Sequence, residues 1–302
     1  MTGHSGDMTG GPDIGFWALN LLLLAAAGYT VGVCRLSVRG HHWPATRSLA
    51  AGAGLCCLAL VVLPAPAGTG FPGHVVQHLL MAMLAPLLLA LSAPVTLALR
   101  TTPLMTRRRL VTALHSPFIR LLTTAPVVLV ANVGGMYCYY LTPLYDIAQQ
   151  KPWVQGLTHL HMFLAGCLLS WYLIGRDPLP CRPPLRTTLI VLLLAAASHD
   201  LLAKFLYAQG IPTSAGSLEQ IRLGAQVMYY GGNLTEVLLA VVVMVGWYQR
   251  SGRQIAREQR RQARRAEAAS RRRSAPQRQV IAHDLTAGSA SPRNAGTRSP
   301  LA

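Results

Sequence analysis

Residues 48–99 read SLAAGAGLCCLALVVLPAPAGTGFPGHVVQHLLMAMLAPLLLALSAPVTLAL, without one Asp, Glu, Lys or Arg. A helix crossing a bilayer needs about 20 mostly apolar residues. The stretch is therefore long enough for two crossings, joined by a Pro/Gly-rich turn from Pro64 to Gly73. Outward from it, charge-free runs repeat. Residues 14–34 form one, bounded by Asp13 and Arg35, and others cover 121–140 and 156–174. Two more, near 186–207 and 221–248, enclose a few ionisable groups: His199, Asp200 and Lys204 in the first, Glu236 in the second. The pattern predicts an all-α membrane protein, a bundle of seven transmembrane helices.

Composition agrees. Of 302 residues 52% are hydrophobic and only 12% charged, with mean hydropathy +0.36, against roughly a quarter charged in soluble domains. The charge is uneven: residues 250–302 carry 13 Arg and three acids. A nucleic-acid-binding protein spreads Lys and Arg over a folded face; here the apolar body is nearly bare of them, which argues against nucleic acid as a partner. The chain divides into an outer segment 1–13, a membrane domain 14–249 and a basic tail 250–302. Arg250, Arg253, Arg257, Arg260, Arg261 and Arg264 recur at helical spacing, so the tail starts as a helix. From Ser274 onward its composition is too poor in apolar residues to fold. The tail fits a topology anchor on anionic lipid headgroups.

Lys and Arg in the loops set orientation. Arg35, Arg39 and Arg47 follow the first span, Arg100, Arg107, Arg108, Arg109 and Arg120 the third, and Arg176, Arg182 and Arg186 the fifth. The alternate loops hold Lys151 and, at a margin, Arg222. The N-terminus is therefore expected outside and the C-terminus in the cytoplasm, in a bacterial-type plasma membrane. The first 13 residues lack a basic n-region, so the first span reads as a retained helix and no cleavable signal is expected. Its Gly28-x-x-x-Gly32 spacing suits close helix packing.

Several motifs carry no function. Gly68-Thr-Gly70-Phe-Pro-Gly73 matches a dinucleotide fingerprint by letter but follows no strand. Asn233-Leu-Thr235 lies inside a span. Six Cys, at 34, 56, 57, 138, 167 and 181, form no C-x-x-C and read as buried small apolar residues. Lys204, four residues after Asp200, suggests an ion pair rather than a Schiff base.

Ionisable groups inside spans are functional candidates by default. His74, Gln77, His78 and Met81 share one helix face. At 1.5 Å rise per residue, His78 lies about 6 Å and Met81 about 10 Å deeper than His74. His159 and His161 enter near the same surface but point in opposite directions, so at most one joins the site. By the same rise His199 and Asp200 lie about 12 Å, and Met228 about 10 Å, from the outer ends of their helices; Met136 and Tyr137 sit near the outer end of the fourth. Imidazole suits copper, zinc, iron and nickel, and thioether shifts the balance toward Cu(I). The plainer alternative is histidines that only hydrogen-bond across the bundle, each contributing about 0.6 kcal/mol. His74 with His78 on one face, joined by His159, favours a metal or haem site. His199, Asp200, Met81 and Met228 are further metal-ligand candidates. His41, His42, His115 and His283 fall on the cytoplasmic side. Met1, His4 and Met8, on the outer segment, could capture a metal weakly.

These residues also carry a resemblance. His74-x-x-Gln-His78, with Met83-Leu-Ala-Pro86 and Ser92-Ala-Pro94, resembles the third helix of the CtaG-type cytochrome c oxidase assembly factors, the caa3-oxidase CtaG family. Pro152-Trp153, His159, Gly166 and Gly175-Arg-Asp177-Pro178 resemble its next signature helix, and Gly224-Ala-Gln226-x-Met228-Tyr-Tyr-Gly-Gly232 with Glu236 its last. The likeness spans about 70–250. It implies a non-catalytic membrane factor that assembles the oxidase, has oxidase subunits as partners and delivers copper to them. His74, His78 and His159 carry over as ligand candidates. Where the family has an apolar residue this chain has His161. The alternatives are a membrane oxidoreductase holding b-type haem, marked by a Soret band, and a transporter of copper or another solute. Any copper here must be held by His and Met, since there is no Cys pair.

Overall fold

The computed structural model describes residues 14–62, 70–178, 180 and 182–287, with side chains from Gly15 to Glu267 inside those ranges. Met1, His4, Met8, most of the Pro64–Gly73 turn, Cys181 and residues 288–302 lie outside the described residues. All regular structure among the described residues is helical. The helices are α1 (Ile14–Val38), α2 (Ala45–Val62), α3 (Phe71–Thr101), α4 (Leu104–Leu114), α5 (Pro117–Leu122), α6 (Ala125–Leu141), α7 (Leu144–Gln150), α8 (Pro152–Ile174), α9 (Leu185–Gln209) and α10 (Leu218–Ala287). Six, namely α1, α2, α3, α8, α9 and α10, are long and apolar enough to cross a membrane. The pair α6–α7 adds a seventh if taken as one span, and it is bent by 75°. The chain is thus a multi-pass helical membrane protein.

Two compact units divide it, Met1–Val245 and Gly246–Ala302. In the first, α3 packs against α2 and α8, α1 packs on α2 and the last turns of α3, and α9 packs on α6. Outward faces keep large apolar side chains such as Leu21, Leu24, Val130 and Leu193 exposed, the arrangement lipid requires. The second unit is helical as far as Ala287. The described Cys are exposed or half-buried free thiols, not the buried residues expected; facing lipid costs a small apolar side chain nothing.

The third span is not one plain helix. Pro86 offers no N–H to the carbonyl of Ala82, and the ladder loosens into a π turn over Leu79–Leu84. The freed Ala82 carbonyl packs directly onto Gly166 of α8, where any Cβ would collide with it and meet Pro86 Cγ at 3.0 Å. Gly166 is therefore the position that lets the two backbones touch. Ala93 then adopts a left-handed conformation (φ 53°) and the last segment starts at Pro94. Its free N–H groups are capped from across the fold. Asp177, 3% exposed, accepts from the Thr96 N–H at 2.7 Å, the Thr96 hydroxyl at 2.6 Å and the Val95 N–H at 3.2 Å. A carboxylate there satisfies orphan donors and complements the helix dipole. Arg176 adds a hydrogen bond to the Leu91 carbonyl at 3.0 Å. The Ser92-Ala-Pro94 and Gly175-Arg-Asp177 motifs are thus two halves of one clamp.

The fourth span also differs from the straight helix expected over 121–140. It starts at Ala125, carries a π turn over Val130–Gly134 and ends at Leu141, before Pro143. Two short helices, α4 and α5, occupy what reads in sequence as a loop. Of the two glycines proposed for close packing, Gly32 meets Leu97 at 3.2 Å while Gly28 faces open space.

Candidate functional site

The histidines converge as two pairs rather than one cluster. His74 of α3 faces His159 of α8, ring centroids 6.2 Å apart and planes 29° apart. One turn further along α3, His78 faces His199 of α9, 6.4 Å apart and nearly parallel at 7°. His78 and His199 are 5% and 4% exposed. Two imidazoles binding one ion at about 2.0–2.1 Å per nitrogen place their centroids about 5–6.4 Å apart. Both pairs sit at the wide end of that range. Among the described residues no three His, Cys, Asp or Glu side chains form a ready ligand set.

Unpartnered nitrogens distinguish these rings from ordinary bundle histidines. His74 Nε2, His78 Nδ1 and both ring nitrogens of His199 are buried without a hydrogen-bond partner. Buried polar atoms are normally satisfied, so each needs an explanation. The neighbour of His199 is Glu236 of α10, with Oε1 3.6 Å from Nδ1. Gly232, one turn before Glu236, makes room: a Cβ there would strike the His199 ring and stand 2.5 Å from Nδ1. Gly224 does the same for Phe71, and Gly231 for Leu79. The glycines of the last span are the seats of residues from α3 and α9.

A cavity of about 60 Å³ adjoins the inner pair, lined by His78, His199, Glu236 and the thioethers Met83, Met136 and Met162. Sequence reading instead nominates Met81, by the stripe on α3, and Met228, by its depth in the last span. Met81 is buried in the aromatic core and also lines a second cleft with Gln77 and His159. Met228 is fully buried in that core. The π turn explains the exchange. With i→i+5 pairing each turn holds more residues, so the face of His78 continues through Ala82 and Met83 to Leu87 instead of through Met81. No 3.6-residue stripe could show this.

Around His74 stands an aromatic box that sequence reading missed: Tyr145 at 5.5 Å, Tyr139 at 5.6 Å, Tyr140 at 6.2 Å and Phe71 at 6.4 Å between centroids. Tyr140 keeps a buried hydroxyl without a partner. Only the 75° bend after Leu141 brings Tyr145 back over the site, and no spacing rule signals it. Tyr137 leaves the box and donates to the Ser198 carbonyl at 2.9 Å.

Other candidates fall elsewhere. His161 is exposed and its Nε2 lies 3.1 Å from the Ala131 carbonyl, inside the second π turn; Gly135 leaves space for its ring. Asp200 does not pair with Lys204. Lys204 Nζ sits 5.0 Å above the Tyr229 ring, while Asp200 Oδ1 is buried without a hydrogen bond. On a helix packed on both sides, lateral contacts with α10 override the i,i+4 attraction, worth only about 0.2–0.5 kcal/mol.

Fold and site define a polytopic helical membrane protein with paired histidines facing one another between its spans. Residues 27–250 match the model of the family described as Cytochrome c oxidase caa3 assembly factor (Caa3_CtaG), and the chain belongs to that family. Similar proteins include an uncharacterized protein of Mycobacterium bovis and another of Mycobacterium tuberculosis, each 29% identical over 265 residues, covering 79% of this chain and 39% of theirs. An uncharacterized protein of Mycobacterium leprae is 27% identical, covering 81% of this chain and 41% of its own. The chain therefore spans about two-fifths of the length of these relatives. No solved structure matches.

Proposed function

We propose that the chain serves cytochrome c oxidase assembly by taking up copper as cargo and passing it to an oxidase subunit. One observation carries the reading: two facing pairs of imidazoles, between α3 and α8 and between α3 and α9, with buried ring nitrogens unpartnered. Neutral imidazole ligates copper, and the thioethers Met83, Met136 and Met162 beside the inner pair favour Cu(I), which tolerates few ligands. A site of two imidazoles without a third fixed ligand holds its ion exchangeably, as a donor must. His74, His78, His159 and His199 are the proposed ligands, Glu236 positions His199, and Asp200, Met81 and Met228 lie outside the ligand set.

The Lys and Arg content of the loops supports an orientation with the His74 end of α3 outside, the side from which the cargo would be taken up. No role in bond-making chemistry is proposed. The haem alternative needs a slot of several hundred Å³ flanked by two imidazoles; the space beside His78 and His199 is about 60 Å³, and the cleft of about 620 Å³ is lined by the single imidazole of His159. The transporter alternative needs a polar path through the full depth, whereas Leu87, Leu169, Leu192 and Leu239 also wall this cavity.

The test is copper content of the detergent-purified chain beside His74→Ala/His159→Ala and His78→Ala/His199→Ala variants, with absorbance recorded for haem. Near-stoichiometric copper, reduced in both variants, is expected. Copper that survives both substitutions, or a Soret band, overturns the proposal.

A further inference from the structure

At the opposite end of α3 from His74 the molecule gathers positive charge without an acid to meet it. Trp43 donates to the Tyr29 hydroxyl at 3.1 Å. Its ring carries the Arg47 guanidinium at 4.7 Å and that of Arg100 at 5.9 Å. Arg39 Nη1 reaches the Arg100 carbonyl at 3.3 Å. Arg176 is pulled below the ordinary arginine pKa by desolvation first and by Arg47 second. The acid here, Asp177, is spent on Thr96 and Val95. Among the described residues none of these guanidiniums has a carboxylate within 4.0 Å. Beside them opens a cleft of about 420 Å³, its polar wall made by His41, Thr96, Arg100 and Arg107 and its apolar wall by Leu36 and Leu99.

What covers the cleft follows from its surroundings. Helices α4 and α5 leave Leu104, Met105, Phe118 and Leu121 exposed at 59–71% next to exposed Arg107, Arg108 and Arg109. Apolar and basic residues in short helices at the end of a span mark an element lying in the membrane interface. The occupant must present an anion at headgroup level and apolar chains beside it. We propose that this cleft is a binding site for an anionic phospholipid, its phosphate held by Arg100 and Arg107 and its acyl chains against Leu99. Basic pockets between spans are a known way of holding such headgroups, and each guanidinium removed costs about five-fold in affinity at about 1 kcal/mol per charge.

The experiment uses the full chain, delipidated in detergent. Its thermal midpoint and bound-lipid count by native mass spectrometry are read with added phosphatidylglycerol, phosphatidylcholine or inorganic phosphate. Phosphatidylglycerol should raise the midpoint and leave one retained lipid, the other two neither. Arg100→Gln/Arg107→Gln should weaken this by about 25-fold, and Arg257→Gln/Arg261→Gln in the tail should leave it intact. If the double variant does not fold, Arg107→Gln alone, at an exposed helix position, must show the five-fold loss. Equal stabilisation by phosphatidylcholine or by phosphate overturns the proposal. So does a loss of binding in the tail variant alone.

Discussion

Gly232→Ala isolates the inner pair without touching a ligand. A Cβ at this position strikes the His199 ring and lies 2.5 Å from Nδ1 and 3.2 Å from Nε2, against an ordinary separation of about 3.5–4.0 Å. The imidazole must move by about 1 Å or more, away from Glu236 and out of register with His78. Replacing Gly by Ala inside a helix gains about 1 kcal/mol, and overpacking costs about 1–3 kcal/mol. The net is a loss of about 0–2 kcal/mol, small enough for the fold to survive. Gly28→Ala is the matched control: no atom lies within 4 Å of its Cβ, so only the gain applies. The assay is Tm in detergent together with copper retained after exhaustive dialysis. Gly28→Ala should raise Tm and keep its copper; Gly232→Ala should not raise Tm and should lose the copper of the inner pair. A Gly232→Ala protein that matches Gly28→Ala in both readouts refutes the placement of His199 against α10.

Asp177→Ala removes a buried carboxylate that holds three donors at the start of the last α3 segment; a loss of about 2–3 kcal/mol is expected from charge-assisted bonds, with partial rescue in Asp177→Asn, both read as Tm. Lys204→Met should lower stability by no more than about 0.5–1 kcal/mol, the worth of an exposed cation–π contact. A loss of about 3–5 kcal/mol, as for breaking a buried ion pair, would restore the Asp200–Lys204 pairing suggested by their spacing.

Local pattern was enough for the spans, because a helix in lipid must satisfy its own backbone hydrogen bonds and keep apolar side chains outward. Charge-free runs therefore mark membrane helices directly, and the imidazoles of His74, His78 and His159 stand out against them as costly exceptions. Family membership was legible for the same reason: its motifs are the Pro, Gly, His and Asp that interrupt the apolar runs. What could not be read was how those interruptions act at a distance. Pro86 shifts the face of α3 so that Met83, not Met81, stands beside His78. The bend after Leu141 carries Tyr145 back over His74. Gly232 seats His199 against Glu236, and Asp177 caps a helix that begins at Pro94. Each depends on two segments meeting far apart in the chain, where packing outweighs a local preference of a few tenths of a kcal/mol. The sequence by itself determined that this is a bundle of membrane helices with histidines inside it; tertiary structure decided which histidine faces which, because a π turn and a bend change the faces that periodicity assumes constant.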